Sequence, residues 1–307
     1  MRFALDALFA DVPAEQVDEA RDFYRLRAAG RGPSTLEELK DVRARRAAPR
    51  AADPPAVEET VEVAEVRVPV RIFMPVGGPP RGVYLDIHGG GFYMDSAARG
   101  DERNRALADA LRLAVVSVDY RLAPEHPWPA APDDCEAVAL WLVEEAEARF
   151  GTSRLAIGGS SAGATLALAT LLRLRDRGAV GQFVGAALQF GTYDLSARTP
   201  AGRRIADEYF IQAYVGQVED RTVPDISPLY GALGGLPPTL LIVGSTDVLL
   251  EDNLALAGRL SAAGNDVEIR VYPESPHGFT GHPTAMARTA LSGVESWLRD
   301  RITQTQS

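Results

Sequence analysis

The feature that most constrains this chain of 307 residues is a single strand-turn-helix pattern near its middle. A short apolar run that begins at residue 155 predicts a buried strand, and the alanine- and leucine-rich run at 164–172 predicts a helix. Between them, Gly159 and Gly163 flank Ser161 in the pattern G-x-S-x-G. We therefore expect a sharp turn from a strand into a helix, with a serine at its tip.

Ser161 is the candidate nucleophile of this turn. Such a turn forces its central residue into a strained backbone conformation and projects the side chain above the sheet, while glycines on either side relieve the crowding. The following helix directs its unpaired N-terminal amides to the same place, so the Ala162 N–H is placed to stabilise a developing oxyanion. Small residues also favour tight packing between a strand and a helix, so the pattern alone leaves a purely structural role open.

A second glycine-rich segment follows an earlier buried strand, which we predict over residues 82–88. His88 leads directly into three successive glycines, and the amides of Gly90 and Gly91 are the best placed to face a ligand. Without a Cβ the backbone can approach a ligand closely, and converging amides bind an anion. The alternative is a flexible loop without chemistry; a phosphate-binding loop is disfavoured because no Gly-Lys-Ser or Gly-Lys-Thr follows.

A serine nucleophile needs a base, and the chain has only four histidines, at positions 88, 126, 277 and 282. His277 is the candidate base because it lies after the last predicted strand, 267–272, and before the last predicted helix. His282 ranks second, since it lies next to a proline that suits the end of a loop. His88 is the weakest candidate, because a histidine that opens a glycine loop more often fixes it through hydrogen bonds.

The base in turn needs an orienting carboxylate, and Asp247 is the candidate acid. It follows the predicted strand 239–244 and lies between the serine and the histidine in the chain. Asp194, which follows the predicted strand 183–190, is the competing carboxylate because it could reach the same imidazole. The glycine loop, the serine turn, the acid and the histidine thus each follow a different strand, which favours a serine hydrolase.

Strands that alternate with helices predict an α/β protein whose mostly parallel sheet is covered by helices on both faces. Residues 1–50 show helical spacing and form a separate N-terminal helical segment, and the Ala- and Pro-rich stretch 47–55 predicts a linker. Residues 51–307 then form the main domain. Its stretch 196–225 is too long for a simple loop and predicts a helical insertion over the sheet.

Composition excludes several other classes of protein. The formal net charge of −10 argues against a nucleic-acid or anionic-membrane surface. The single cysteine, Cys135, cannot form an intrachain disulfide, and we expect a small buried hydrophobe there. The first nine residues lack the apolar core of a signal peptide, and no run approaches the ~20 apolar residues that span a bilayer. We therefore expect a cytoplasmic protein.

The chain resembles the hormone-sensitive-lipase-like branch of the α/β-hydrolase superfamily, which contains bacterial carboxylesterases and lipases. The resemblance covers residues from about 80 to the end, through the segments 88–92, 119–129, 159–163 and 277–279 together with Asp247. It implies an α/β-hydrolase fold. It also implies Ser161 as nucleophile, Asp247 as acid, His277 as base, and Gly90, Gly91 and Ala162 as oxyanion donors.

The same resemblance implies a cap over the site, built from the N-terminal helices and the insertion. Five aromatic residues are candidates for the substrate pocket within this cap: Phe9, Phe23, Tyr209, Phe210 and Tyr214. Short- to medium-chain esters are the implied substrates, with no cofactor and no metal. The chain departs from the family at Ser160, where an acid is usual, at Ala164, where a glycine is usual, and at Val248, often proline.

The predicted function is therefore that of a serine carboxylesterase with an acyl-enzyme intermediate. An amidase, a deacetylase or a lactonase on the same scaffold is the alternative, and a non-catalytic small-molecule receptor is the remote one. The predicted partner is a small-molecule ester, without nucleic acid or stable membrane insertion; the terminal helix or an edge strand offers a contact for a homodimer. In the segment 119–129, Arg121 and Glu125 are expected to form a structural ion pair.

Overall fold

The computed structural model describes residues 5–27, 32–46 and 50–304. Within them, one sheet contains eight strands in the order β1-β2-β4-β3-β5-β6-β7-β8. Strand β2 runs antiparallel to β1 and β4, and all other neighbours are parallel. The strands are β1 (Val57–Val63), β2 (Val66–Phe73), β3 (Gly82–Ile87), β4 (Leu113–Val118), β5 (Leu155–Ser160), β6 (Phe183–Gln189), β7 (Thr239–Gly244) and β8 (Val267–Tyr272).

Helices connect these strands, and the predicted α/β class with a mostly parallel sheet is confirmed. The α-helices are α1 (Ala14–Arg25), α2 (Leu36–Arg45), α3 (Asp101–Leu111), α4 (Ala130–Phe150), α5 (Ala162–Asp176), α6 (Pro200–Ile205), α7 (Tyr209–Val215), α8 (Leu250–Ala262) and α9 (Ala285–Thr303). Short 3-10 turns lie at Leu5–Leu8, Ala97–Gly100, Val180–Gln182, Pro228–Tyr230 and Phe279–Gly281. Over the described ranges, we find no helix with the length and apolar character needed to cross a membrane.

Two hydrophobic clusters cover the two faces of the sheet. Successive strand residues point to opposite faces, so Leu85 of β3 packs with α4 and α5, whereas its neighbour Tyr84 packs with α3 and α9. The strands from β3 to β7 are buried nearly throughout, as a sheet covered on both faces requires. Cys135 of α4 is free and fully buried in the first of these clusters, which agrees with its expected apolar role.

The boundaries of two helices follow from local chemistry. Helix α2 starts after Thr35, whose hydroxyl caps the helix by accepting a hydrogen bond from the Glu38 N–H at 3.1 Å. Helix α4 begins at Ala130, and Pro132 fits its first turn, where no N–H donor is needed. It ends at Gly151, whose φ of 74° suits a glycine.

The N-terminal helices pack on two different parts of the main domain. Helix α1 contacts α9, whereas Leu39 of α2 is buried in the cluster that contains α4 and α5. The predicted insertion between β6 and β7 contains α6 and α7. Residues 47–49 of the predicted linker lie outside the described residues, so the division of the chain near residue 50 stays a prediction.

The expected ion pair between Arg121 and Glu125 is wrong. The Arg121 guanidinium binds the buried Asp134 carboxylate of α4 through Nε and Nη2, with the Nη2–Oδ1 distance at 2.8 Å. Glu125 instead accepts a hydrogen bond from Arg43 of α2 at 2.7 Å. The segment 119–129 therefore links α4 and α2, because Arg121 binds the first helix and Glu125 binds the second.

Asp86 of β3 supports the strand that leads into the glycine loop, and its removal should destabilise the fold. The carboxylate is buried and accepts hydrogen bonds from Arg103 at 2.8 Å, Asn104 at 2.9 Å and Ser117 at 2.8 Å. Because Asp86→Ala leaves these donors unpaired, we expect the free energy of unfolding in urea to fall by about 3–5 kcal/mol. The control is Glu62→Ala, because Glu62 is exposed and pairs with Arg67 on the surface, so this change should alter the free energy of unfolding little. Equal losses of stability in Asp86→Ala and Glu62→Ala would contradict the prediction.

Candidate active site

The turn between β5 and α5 has the strained geometry that the sequence pattern predicts. Ser161 adopts φ of 53° and ψ of −121°, a left-handed backbone conformation that side chains rarely adopt. A Cβ at Gly159 or at Gly163 would overlap the Ile87 carbonyl oxygen, so glycine is required at both positions by the close approach of β3. The turn thus lifts Ser161 out of the sheet at the carboxyl end of β5.

The structure brings Ser161, His277 and Asp247 into one hydrogen-bonded chain. Ser161 Oγ lies 2.9 Å from His277 Nε2, and His277 Nδ1 lies 3.0 Å from Asp247 Oδ2. The Asp247 side chain is fully buried and also accepts a hydrogen bond from the Leu249 N–H at 2.8 Å, whereas the His277 side chain is 38% exposed. A hydroxyl, an imidazole and a buried carboxylate in this order can transfer a proton from the hydroxyl.

The loops that hold the acid and the histidine are joined by hydrogen bonds. The Ser245 N–H after β7 donates to the Tyr272 carbonyl at 2.8 Å, and the Thr246 N–H donates to the Ser275 carbonyl at 3.1 Å. In return, the Glu274 N–H donates to Ser245 Oγ at 3.0 Å. The separation of Asp247 from His277 is therefore set by backbone contacts as well as by their own hydrogen bond.

The glycine loop after β3 lies directly against the serine turn. Gly90 and Gly91 have φ of 110° and 61°, which glycine adopts without strain. A Cβ at Gly89 would lie 2.7 Å from the Ser160 carbonyl oxygen, which shows how closely the two segments pack. Among the described residues, the N–H groups of Gly90, Gly91 and Ala162 donate to no protein acceptor, so they are free to bind an oxyanion.

The other two histidines weighed as bases lie in different surroundings. His88 is buried, stacks on Tyr120 with ring centroids 4.1 Å apart, and its Nδ1 lies 2.7 Å from the Gly89 carbonyl oxygen. Burial lowers the pKa of His88, which favours the neutral ring, and the hydrogen bond to Gly89 lets the ring support the loop. The Nδ1 of His282 lies 3.0 Å from the Tyr24 hydroxyl of α1, which places that ring against the N-terminal segment.

Asp194, the competing carboxylate, is occupied elsewhere. It accepts hydrogen bonds from the Ser196 N–H at 2.7 Å and from the Thr199 N–H at 2.8 Å, at the start of the insertion. Burial alone would raise the pKa of Asp194, but the hydrogen bonds from Ser196 and Thr199 hold it below its usual value. Asp194 therefore anchors the insertion, and its oxygens are used there.

The three pocket candidates on α7 lie over the segment that follows the glycine loop. Tyr214 is buried and stacks on Phe92 with centroids 4.0 Å apart, so its ring serves packing. The Phe210 Cβ would lie 3.4 Å from a Cβ at Gly91, and the Tyr209 ring lies 6.3 Å from that of Tyr93. Phe210 and Tyr209 are half-buried next to the glycine loop.

The other two pocket candidates lie against different elements. Phe9 forms a parallel bridge with Val271 at the edge of β8, and 40% of its surface is exposed. The Phe23 ring of α1 contacts His282 and carries the Arg27 guanidinium 4.3 Å from its centroid. The five aromatic residues therefore do not form one cluster.

Arg43 of α2 supports the segment that follows the glycine loop, a role that the sequence did not predict. Its Nε and Nη2 donate to the Tyr93 carbonyl at 3.0 and 2.6 Å, and Nη2 also donates to the Ala123 carbonyl at 2.7 Å. It is one of several arginines in a helix of ordinary composition, so the local pattern held no signal for this role.

Comparisons with known proteins agree with this geometry. A family model described as alpha/beta hydrolase fold matches residues 84–281. The carboxylic ester hydrolase LipN of Mycobacterium tuberculosis is 32% identical over 228 residues, which cover 69% of this chain and 61% of LipN. The match therefore spans less than two thirds of LipN.

Two solved structures extend the similarity to the whole fold. The esterase LipW from Mycobacterium marinum gives a TM-score of 0.80 at 28% identity, covering 94% of this chain and 98% of LipW. A hormone-sensitive lipase from a metagenome library gives a TM-score of 0.73 at 28% identity, covering 96% of this chain and 100% of the lipase. This chain belongs to the α/β-hydrolase family, in its hormone-sensitive-lipase-like branch, as predicted. The names of these relatives agree with the predicted class of enzyme, a carboxylic ester hydrolase.

Close packing at Gly163 makes a direct prediction about stability. The Cβ of Gly163→Ala would overlap the Ile87 carbonyl oxygen and lie 2.6 Å from the His88 carbonyl oxygen, and neither backbone atom can move alone. We expect the free energy of unfolding to fall by about 1–3 kcal/mol. Gly258→Ala in α8, where nothing lies within 4 Å, should raise it by about 0.5–1 kcal/mol. Urea denaturation measures both, and a neutral Gly163→Ala would contradict the packing argument.

Asp252 of α8 predicts a pH dependence of stability. It is fully buried, and neither carboxylate oxygen has a hydrogen-bond partner among the described residues. Burial, together with a smaller contribution from the Asp194 carboxylate, raises the pKa of Asp252 to about 6. The folded state thus keeps a proton that the unfolded state has already lost. The stability that this retained proton gives to the folded state is complete below about pH 4, where an ordinary aspartate is protonated, and is lost as pH rises through about 6.

Asp252→Asn should therefore lose less stability than the wild type between pH 4 and pH 8. Thermal unfolding across this interval measures the difference in slope. Glu145→Gln, at an exposed position of α4, is the control and should keep the wild-type slope. Parallel curves for the wild type and Asp252→Asn would show that the buried carboxylate does not titrate in this range.

Proposed function

We propose that this protein is a serine carboxylesterase that hydrolyses short- to medium-chain esters through an acyl-enzyme intermediate. One observation carries the proposal: Ser161 Oγ lies 2.9 Å from His277 Nε2, whose other nitrogen lies 3.0 Å from the buried Asp247 carboxylate. The unpaired amides of the glycine loop lie next to the same serine turn. The similarity to named ester hydrolases supports the ester as the substrate class.

In the first half of the reaction, His277 Nε2 accepts the Ser161 hydroxyl proton while Ser161 Oγ bonds to the ester carbonyl carbon. The N–H groups of Gly90, Gly91 and Ala162 stabilise the negative charge that forms on the carbonyl oxygen. His277 then donates its proton to the alcohol oxygen as the bond between that oxygen and the carbonyl carbon breaks. The alcohol leaves, and the acyl group stays on Ser161.

In the second half, a water molecule replaces the alcohol. His277 accepts a proton from water as the water oxygen bonds to the acyl carbon, and the same three N–H groups stabilise the oxyanion again. His277 then returns the proton to Ser161 Oγ as the bond between Oγ and the acyl carbon breaks, which releases the carboxylic acid and restores the enzyme. Asp247 accepts the hydrogen bond from His277 Nδ1 and keeps His277 in the tautomer whose Nε2 is a free acceptor.

Aromatic side chains of α7 favour the shorter esters in this range. Phe210 and Tyr209 are half-buried beside the glycine loop, where they restrict the room next to the bound carbonyl. Their apolar rings suit acyl or alcohol groups of a few carbons. A cytoplasmic location, a homodimer and the cap role of residues 1–50 stay predictions.

Replacement of Ser161 tests the proposal. We expect wild-type protein to hydrolyse p-nitrophenyl esters from acetyl to octanoyl, and Ser161→Ala to reduce kcat/KM by at least about 1,000-fold because no nucleophile remains. Ser160→Ala, one residue earlier in the same turn, should retain most of the activity. Initial rates across the series measure both, and the best chain length gauges the pocket.

Two results would contradict this function. Equal rates for Ser161→Ala and the wild type would remove Ser161 from the mechanism. A wild type that cleaves none of the esters but cleaves the corresponding anilides would assign the site to an amidase.

A further inference from the structure

Gln189, the last residue of β6, contacts both of the loops that contribute Ser161 and His277. Its carbonyl oxygen accepts a hydrogen bond from the Ser161 N–H at 2.9 Å. Its side-chain Oε1 accepts one from the Thr280 hydroxyl at 3.1 Å. Only 5% of the Gln189 surface is exposed, so water competes little for these two hydrogen bonds. One buried residue therefore links the serine turn to the turn after the histidine.

The turn that contains Thr280 packs on the core through Phe279, whose side chain is fully buried, while Thr280 reaches the sheet through its hydroxyl. It is the short 3-10 turn Phe279–Gly281, which begins two residues after His277. Glycines lie on both sides of Thr280, and at Gly278 and Gly281 nothing lies within 4 Å of where a Cβ would be. Because glycine restricts its own backbone least, the hydrogen bond from Thr280 to Gln189 adds a restraint on the segment that contains His277.

Phe190 adds a second contact between the end of β6 and the histidine. Its ring meets the His277 ring edge-on, with centroids 5.2 Å apart and planes at 74°. Phe190 has φ of 40°, a strained conformation for an aromatic residue, and its N–H donates to the Ile242 carbonyl of β7 at 2.7 Å. Strain of this kind persists only where the surrounding structure enforces it, and it clusters at functional sites.

We propose that Gln189 is a positioning residue, which holds the imidazole of His277 within reach of Ser161 through the Thr280 hydroxyl, while the Phe190 ring supports the imidazole from the side. The proposal rests on the proposed function, because it concerns the geometry of the same proton transfer. A shift of about 1 Å at the reacting atoms can reduce a rate by roughly 100-fold, so a link that limits this shift contributes to kcat. The link between Gln189 and Thr280 does not touch the substrate, so its loss should leave KM unchanged.

The kinetic experiment removes either end of the link without changing its size. Thr280→Val and Gln189→Met should each lower kcat on p-nitrophenyl acetate by roughly 10- to 100-fold, with KM within about twofold of wild type. The double variant should be no slower than the slower single variant, because both changes break one interaction. Thr280→Ser restores the hydroxyl and should restore kcat.

Thr289→Val is the matched control. That hydroxyl donates to Gln16 of α1 from helix α9, so its loss removes a hydrogen bond of the same kind away from the site. It should leave kcat and KM at wild-type values. Full additivity of the two single changes, or an equal loss in Thr289→Val, would overturn the proposal.

A second measurement does not depend on ester turnover. The proton between His277 Nδ1 and Asp247 should give a downfield proton NMR signal, and the looser turn in Thr280→Val should broaden it by faster exchange with water. An unchanged signal would overturn the positioning role. If Ser161→Ala retains wild-type esterase activity, the proposed function fails, and the NMR signal still decides whether Gln189 holds His277 in place.

Discussion

The strained turn at Ser161 is the constraint on which the rest of the structure depends. A non-glycine residue at φ of 53° costs on the order of 1–3 kcal/mol and persists only where its surroundings enforce it. Here β5 pairs with β3 on one side and β6 on the other, and α5 is buried along most of its length. The Ser161 N–H still finds an acceptor in the Gln189 carbonyl, so no lost hydrogen bond adds to the strain.

Parallel strands place the parts of the site at one edge of the sheet. The glycine loop, Ser161, Asp247 and His277 follow β3, β5, β7 and β8, and β6 supplies the contacts between the serine turn and the histidine turn. These loops are held by polar contacts from elsewhere in the chain, such as Arg43 on the Tyr93 carbonyl. The rigid sheet thus sets the coarse positions, and hydrogen bonds between loops set the distances of about 3 Å that proton transfer needs.

Much of this was predictable from the sequence because it depends on local patterns. Apolar runs indicated the strands that precede the glycine loop, the serine turn, the acid and the histidine, and the G-x-S-x-G pattern indicated the turn at Ser161. The rule that functional residues follow the carboxyl ends of strands favoured His277 as the base and left both Asp247 and Asp194 as possible acids, and the structure brings Asp247 and His277 together with Ser161. These inferences need only the local pattern of residues and the order in which strands and candidate residues follow one another along the chain.

Residue partners distant in the chain were decided only by the tertiary structure. Arg121 binds Asp134 where Glu125 was expected, and Thr280 reaches Gln189 across 91 residues of chain. A charge or an amide can bind any complementary group that folding brings near, so the sequence does not select among several equivalent candidates. The sequence by itself therefore determined the fold class and the candidate residues for the chemistry. The packing of loops and N-terminal helices decided what holds those residues in place, because that depends on distances between elements that no local pattern encodes.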